Sequence, residues 1–167
     1  GVFDDNQYFD VFVTYAKAAA DDILIEISVH NRGAEAASIR VLPTLWFRNT
    51  WTTGPQQTQR PSLRESAPGV VEASHPELGT YWLVCEDAPR LLFTENETNP
   101  ERVPGTPRIG RYFKDGIDRF VVAGQSDAVN PELVGTKVAA DYSLHLEGGA
   151  ARTLQLHLSR NSAATVP

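Results

Sequence analysis

The chain has 167 residues, of which 41% are hydrophobic and 22% charged, and its net charge is -6. A chain of this length buries roughly two thirds of its unfolded surface as one domain, so it can fold without a disulfide or a metal ion. The acidic balance, with both signs interspersed, argues against nucleic acid and membrane surfaces as partners. No stretch approaches the roughly 20 apolar residues of a membrane span, and no signal pattern opens the chain, so a cytoplasmic location is expected.

Cysteine and methionine usage adds two expectations. Cys85 is the single cysteine, which excludes an intramolecular disulfide and is typical of a small buried hydrophobe. The chain starts at Gly1, contains no methionine and enters strand-like sequence within a few residues. This indicates a piece of a longer polypeptide.

Apolar residues recur at every second position through most of the chain, as in half-buried β-strands. In chain order, strands are predicted over residues 9–15, 23–29, 38–47, 70–74, 80–86, 90–95, 117–123, 138–146 and 154–158. The second of them is followed by a turn at Asn31-Arg32-Gly33.

The last two predicted strands each carry one clearly apolar face. A hairpin through Gly148-Gly149-Ala150 is expected to join them. It would put Leu144 and Leu146 on the same face as Leu154 and Leu156. That arrangement requires an odd loop of three or five residues, which explains the two glycines.

About nine strands with short turns predict an all-β fold, in which residues 1–167 form one two-sheet antiparallel β-sandwich. Two predicted loops interrupt this regularity, at 52–68 and 96–115, and both are rich in proline and other loop-forming residues. Loops of this length in a compact domain are usually functional or are ordered by a neighbour.

The segment LPTLWFRNTW at 42–51 carries two of the three tryptophans, with Arg48 and Asn49 between them. Indole faces stack on pyranose rings or are buried by a partner domain, and the Arg and Asn side chains can hydrogen-bond hydroxyls or carbonyls. The alternative is that Trp46 belongs to the core and Trp51 anchors a loop.

Glu95 and Glu97 flank Asn96 near the end of a predicted strand. If this segment is extended, both carboxylates lie on one side, about 6–7 Å apart. That is within the roughly 5–9.5 Å of glycosidase acid and base pairs. Such pairs approach a sugar from opposite sides, however, so a polar strand end that contacts a loop, a ligand or a partner domain is the favoured interpretation.

The four histidines offer no metal-ligand spacing and have no cysteine near them. No metal site and no cofactor are therefore expected.

Several blocks together resemble one family. They are GVFDD at 1–5, YFDV at 8–11, YAK at 15–17, LPTLWFRNTW at 42–51, LFTENETN at 92–99 and GTK at 135–137 with Ala139-Ala140. Over nearly the whole chain they are similar to the N-terminal region of bacterial family 63 glycoside hydrolases, relatives of processing α-glucosidase I. One departure is that Thr52-Thr53-Gly54 follows Trp51, where relatives tend to carry a Trp-Gly pair.

In that family an N-terminal β-sandwich of the super-sandwich type packs on a larger (α/α)6 barrel, which holds an inverting pair of catalytic carboxylic acids. The resemblance implies a non-catalytic N-terminal domain of an α-glucosidase-like enzyme of carbohydrate metabolism, inactive alone. Its partners would be the barrel of the same polypeptide and, in the intact enzyme, an oligosaccharide substrate. The residues that would help shape the substrate pocket or the domain interface are Trp46, Arg48, Asn49, Trp51, Glu95, Asn96 and Glu97.

Two other classes of function remain open. A free-standing carbohydrate-binding module would use Trp46 and Trp51 as an exposed stacking platform. An immunoglobulin-like interaction domain would have no sugar role. The exposure of the two indoles separates these possibilities, because an indole buried in the domain's own core can neither stack on a sugar nor dock on a partner.

Overall fold

The computed structural model describes residues 7–51, 59–100 and 110–162. Their strands are β1 (Phe9–Ala19), β2 (Asp22–Asn31), β3 (Ala37–Val41), β4 (Thr44–Trp46), β5 (Ser62–Ala67), β6 (Val70–His75), β7 (Gly79–Cys85), β8 (Arg90–Thr94), β9 (Val134–Gly135), β10 (Lys137–Leu146) and β11 (Ala151–Ser159). Helix α1 spans Gly116–Ala123, and a short 3-10 helix spans Ser126–Ala128.

The strands form two antiparallel sheets, so the predicted β-sandwich is confirmed. The larger sheet has the strand order β1-β2-β11-β7-β6-β5-β9. In the smaller sheet β10 is central and pairs with β3, β4 and β8. The strand predicted at 38–47 appears as β3 and β4, which pair with β10 in one register and are separated at Leu42-Pro43. The backbone N–H of Ala140 still donates to the Pro43 carbonyl, at 2.9 Å.

The hydrophobic core lies between the two sheets. Val29, Leu154 and Leu156 of the larger sheet join Phe93 and Val138 of the smaller sheet in one buried cluster. Adjacent residues in a strand point to opposite faces, so Leu92 and Ala139 lie on the other face of the smaller sheet. There they form a second buried cluster with α1. The smaller sheet is therefore covered on both faces.

The strand predicted at 117–123 is wrong, because this segment is helix α1. Ile117, Phe120 and Val121 follow the i, i+3, i+4 spacing of a helix and pack on the smaller sheet. Gly124 ends the helix with a φ of 66°, the left-handed conformation that commonly terminates helices.

The predicted hairpin between the last two strands is also wrong. β10 belongs to the smaller sheet, whereas β11 pairs with β2 and β7 in the larger one. The connection at 147–150 therefore crosses between the sheets. Leu146 and Leu154 nevertheless reach the same core cluster. A strand pair that spans two sheets produces the same alternation as a hairpin, because in both cases one face of each strand points to the core.

The predicted loops are only partly described. Residues 1–6, 52–58, 101–109 and 163–167 lie outside the described residues, and with them the block at 1–5 and the centres of both loops. The prediction that all of 52–68 is a loop is wrong, since β5 occupies Ser62–Ala67 and buries Leu63 in the core.

Cys85 is buried, as expected, and burial raises the pKa of its thiol to about 12. Within the described ranges, no helix has the length and apolar character needed to cross a membrane.

Candidate functional site

The register of the smaller sheet brings the two predicted site segments together. Both β4 and β8 pair with residues 137–139 of β10, and both Trp46 and Thr94 lie opposite Lys137. The two strands flank β10 and thus finish at the same end of the smaller sheet. The chain leaves this end at Phe47 on one side of β10 and at Glu95 on the other, so Trp51 and Glu97 can meet.

Four side chains make direct contact at this end of the smaller sheet. The Trp51 indole donates its Nε1–H to Oε1 of Glu97, at 2.9 Å. One guanidinium nitrogen of Arg60 lies 2.9 Å from the same Glu97 oxygen and 2.7 Å from Oε2 of Glu95. The Arg60 guanidinium also lies 5.5 Å from the centre of the Trp51 ring.

Thr136 fixes the position of Glu95. Its hydroxyl donates to Oε2 of Glu95 at 2.7 Å and accepts the backbone N–H of Asn96 at 2.8 Å. Because Thr136 is buried and its own N–H donates to the Thr94 carbonyl, the hydroxyl has a fixed place at the end of β8. Trp51, Arg60, Glu95, Glu97 and Thr136 are called the Arg60 cluster below.

The backbone around the cluster is held from two directions. The Asn96 side-chain amide donates to the Phe47 carbonyl, at 2.9 Å, and ties the two exits from the sheet together. The backbone N–H of Glu95 donates to the Tyr112 carbonyl at 2.7 Å. The chain bends at Asn96, so the extended conformation considered for the two glutamates does not occur.

The geometry determines which chemistry the cluster can perform. A single guanidinium nitrogen bridges both carboxylates, which places a positive charge between two negative ones. Charge-assisted hydrogen bonds of this kind hold the two carboxylates together on one arginine, whereas a glycosidase acid and base pair flanks the scissile bond of the sugar. The two carboxylates are half-buried and the Arg60 side chain is more exposed. The cluster is therefore suited to exchange hydrogen bonds with a polar ligand or a neighbouring domain.

The other predicted site residues lie apart from these contacts. Trp46 is 56% exposed, so the interpretation of Trp46 as a core residue is wrong. It lines an apolar groove of about 320 Å³ together with Phe47, Leu78 and Tyr81, and none of the groove's lining residues belongs to the Arg60 cluster. Arg48 is exposed and Asn49 is half-buried.

Arg60 and Thr136 are the two members of the cluster that sequence reasoning did not select. Arg60 lies in a segment predicted as an irregular loop, where no local pattern distinguishes one arginine from another. Thr136 lies in a block that contributes to the family resemblance, and its role depends on the backbone hydrogen bond to Thr94, a long-range contact that no local pattern encodes.

Among the residues that the structure describes, no group of three or more His, Cys, Asp or Glu side chains is arranged to hold a metal ion. His145 contacts Ser38 through Nδ1, and His157 contacts Asp22 through Nε2. These two pairs lie on different sheets.

Comparison with known proteins finds a similarity to a yeast protein. No family model matches the chain. Uncharacterized protein YMR196W of Saccharomyces cerevisiae is 30% identical to the chain over 83% of its residues. The matched region is 15% of the yeast protein, so the chain spans about 15% of the length of the curated relative that it matches.

Proposed function

We propose that the chain is a non-catalytic β-sandwich domain of an inverting, α-glucosidase-like glycoside hydrolase. It would pack on an (α/α)6 catalytic barrel of the same polypeptide and contribute the Arg60 cluster to the rim of the substrate pocket. The observation that carries the proposal is the bridging of Glu95 and Glu97 by Arg60, with the Trp51 indole bonded to the same Glu97 oxygen.

The cluster has the chemistry of a sugar contact. Its described hydrogen bonds engage Oε2 of Glu95 and Oε1 of Glu97, which leaves the second oxygen of each carboxylate for a ligand hydroxyl. Arg60 supplies further N–H donors, and the Trp51 ring supplies an apolar face. Arg60 also offsets one of the two negative charges and ties both carboxylates to a single nitrogen, which supports a binding role over a catalytic one.

The length of the yeast relative supports the assignment to a larger polypeptide. In that protein, 85% of the sequence lies outside the matched 15%. A catalytic domain can therefore reside elsewhere in the same polypeptide, with the β-sandwich as an accessory domain.

The test is hydrolysis of aryl α-glycosides and α-linked disaccharides by this chain and by the full-length polypeptide that contains it. Activity is expected only in the full-length protein. There, Trp51→Phe, which removes the N–H donor to Glu97 and keeps an aromatic ring, is expected to raise KM several-fold with a smaller change in kcat.

The matched control is Arg64→Ala, which breaks an arginine pair with Glu72 on β5 and β6, outside the Arg60 cluster, and is expected to leave both constants unchanged. Hydrolysis by this chain alone that disappears in Glu95→Gln or Glu97→Gln would contradict the proposal. So would a full-length protein that cleaves none of the substrates.

A second candidate, a free-standing carbohydrate-binding module, is favoured by one observation, the exposure of Trp46 beside the groove of about 320 Å³. It requires that this chain alone binds malto-oligosaccharides and that Trp46→Ala abolishes the binding. Calorimetric titration of malto-oligosaccharides into this chain and into its Trp46→Ala variant decides between the two candidates, because the accessory domain is not expected to bind sugar in isolation.

A further inference from the structure

One side of β1 is apolar and uncovered. Val11, Val13 and Tyr15 are 47%, 48% and 70% exposed. They lie opposite Val29, Ile27 and Ile25 of β2, respectively. Since directly paired residues share a face of the sheet, these three side chains are on the face that carries the core.

This surface continues across the molecule. A groove of about 280 Å³ is lined by Val11, Val13 and Tyr15 and also by Leu45 and Leu158. Leu45 and Leu158 line the groove that contains Trp46 as well. The two grooves are therefore adjacent, and together they form one apolar strip. The apolar strip consists of Leu45, which lines both grooves, and of five exposed residues: Val11, Val13, Tyr15, Trp46 and Leu78.

The backbone edge of β1 is open too. Among the described residues, β1 pairs only with β2 and so ends the larger sheet. Its central residues 11–16 contain no charge and no proline. Exposed edge strands of monomeric proteins normally carry such features, because a long apolar edge pairs readily with another strand. Both the open edge and the apolar strip thus require a covering partner.

We propose that the apolar strip and the free edge of β1 form an intramolecular docking face. In the full-length polypeptide, another part of the same polypeptide adds an extended segment to β1 and packs apolar side chains over Val11, Val13 and Tyr15. This rests on the proposed function only in requiring a longer polypeptide, and it identifies the face that meets the rest of that polypeptide.

Two observations favour this occupant over a second copy of the chain. The yeast relative carries the matched region within a much longer polypeptide, which supplies a covalently attached partner. A two-fold pairing of β1 with β1 of another copy would satisfy the backbone edge, but it would extend the sheet sideways and leave the apolar strip of each copy uncovered. Two copies, each with a net charge of -6, also repel one another.

The experiment compares backbone amide hydrogen exchange in this chain and in the full-length polypeptide. In an antiparallel pair, alternate N–H groups of β1 point away from β2. In this chain those amides of residues 10–17 are expected to exchange rapidly. In the full-length polypeptide they are expected to exchange roughly 100-fold more slowly, the scale of a stable local hydrogen bond. Equal rates in both proteins would overturn the proposal, as would protection in this chain that rises with protein concentration.

A pair of variants checks the role of the side chains. Val13→Lys in the full-length polypeptide is expected to abolish most of the added protection. Val122→Lys is the matched control, because Val122 is 77% exposed on α1 and lies outside the strip. If Val13→Lys does not fold, Tyr15→Ser removes apolar surface without adding a charge. Unchanged protection in the folded variants would contradict the proposal.

The two proposals fail separately. Slow exchange at β1 without any hydrolysis of α-glycosides would support the docking face and contradict the glycoside hydrolase assignment. Hydrolysis with rapid exchange at β1 would do the reverse.

Discussion

Arg60 is the residue on which the candidate site depends most. Two carboxylates next to each other repel, and the Arg60 guanidinium between Glu95 and Glu97 converts that repulsion into two ion pairs. Its side chain is 46% exposed, so solvent screens both pairs and limits their effect on stability.

Arg60→Gln is expected to lower the free energy of unfolding by about 1 kcal/mol, because the two half-buried carboxylates then face each other without a counter-charge. The measurement is urea unfolding of a double-mutant cycle with Glu97→Gln. The cycle is expected to give a favourable coupling between the two residues.

Arg32→Gln serves as the control, since its ion pair with Asp10 is exposed on both sides. Its effect is expected to be within about 0.5 kcal/mol. A coupling of zero between Arg60 and Glu97 would show that the bridge does not stabilise the fold.

Cys85 offers a second prediction at this scale. Burial raises the pKa of its thiol to about 12, so at pH 8 the native protein carries almost no thiolate and is expected to resist a disulfide probe. In urea the single cysteine is expected to react at the rate of a free thiol. The unfolded chain loses this proton near its ordinary pKa of about 9, so the Cys85 contribution to stability decreases as the pH rises from 9 to 12. Rapid labelling of the native protein at pH 8 would contradict this account.

At the scale of elements, period-two patterning predicted most of the sandwich. Both β1 and β2 were predicted, because each alternates apolar and polar residues over most of its length. The helix α1 was missed, although Ile117, Phe120 and Val121 carry helical spacing, because an eight-residue segment with several apolar residues fits either period. The hairpin predicted between β10 and β11 was wrong, because alternation reports which face of a strand is apolar and does not report which sheet receives the strand.

The candidate site was predictable in part for a related reason. Local patterns selected Trp51, Glu95 and Glu97, and the common pairing of β4 and β8 with β10 brought their segments together. Arg60 reaches them from a different segment, through contacts that no local pattern encodes. Trp46 was grouped with Trp51 by proximity in sequence, yet it lines a different surface.

The connection between β9 and the cluster leads to a third prediction. A Cβ atom at Gly135 would lie 2.3 Å from the Thr94 carbonyl oxygen, which is backbone and cannot move aside easily. Gly135→Ala is therefore expected to displace β9 from β8, draw Thr136 away from Glu95 and destabilise the fold by roughly 2–3 kcal/mol.

The control for this prediction is Gly149→Ala. Gly149 has a φ of 74° with open space around its Cβ position, so alanine there meets only backbone strain, about 1 kcal/mol. Thermal unfolding of both variants measures the difference. Equal effects would mean that the approach of Gly135 to Thr94 is not needed to hold β9.

For the whole molecule, the segment from β4 to Trp51 joins two surfaces. Leu45 and Trp46 belong to the apolar strip, whereas Trp51 belongs to the Arg60 cluster. If the strip docks on the rest of the polypeptide, the same contact positions the exit from β4 and with it the cluster. Docking and ligand recognition would then be coupled through a short length of backbone that Asn96 already ties to the end of β8.

The fourth prediction concerns the environment of Trp46 in the two forms of the protein. Trp46 is 56% exposed, whereas Trp51 and Trp82 are half-buried, so in this chain acrylamide is expected to quench mainly Trp46. Trp46→Phe is expected to reduce that quenching by about half, since an exposed indole collides with acrylamide and a shielded one does not. In the full-length polypeptide the same substitution is expected to change quenching little, because the docked partner covers the strip. An equal reduction in both proteins would mean that Trp46 stays in solvent, and it would return this residue to the role of a sugar-stacking platform.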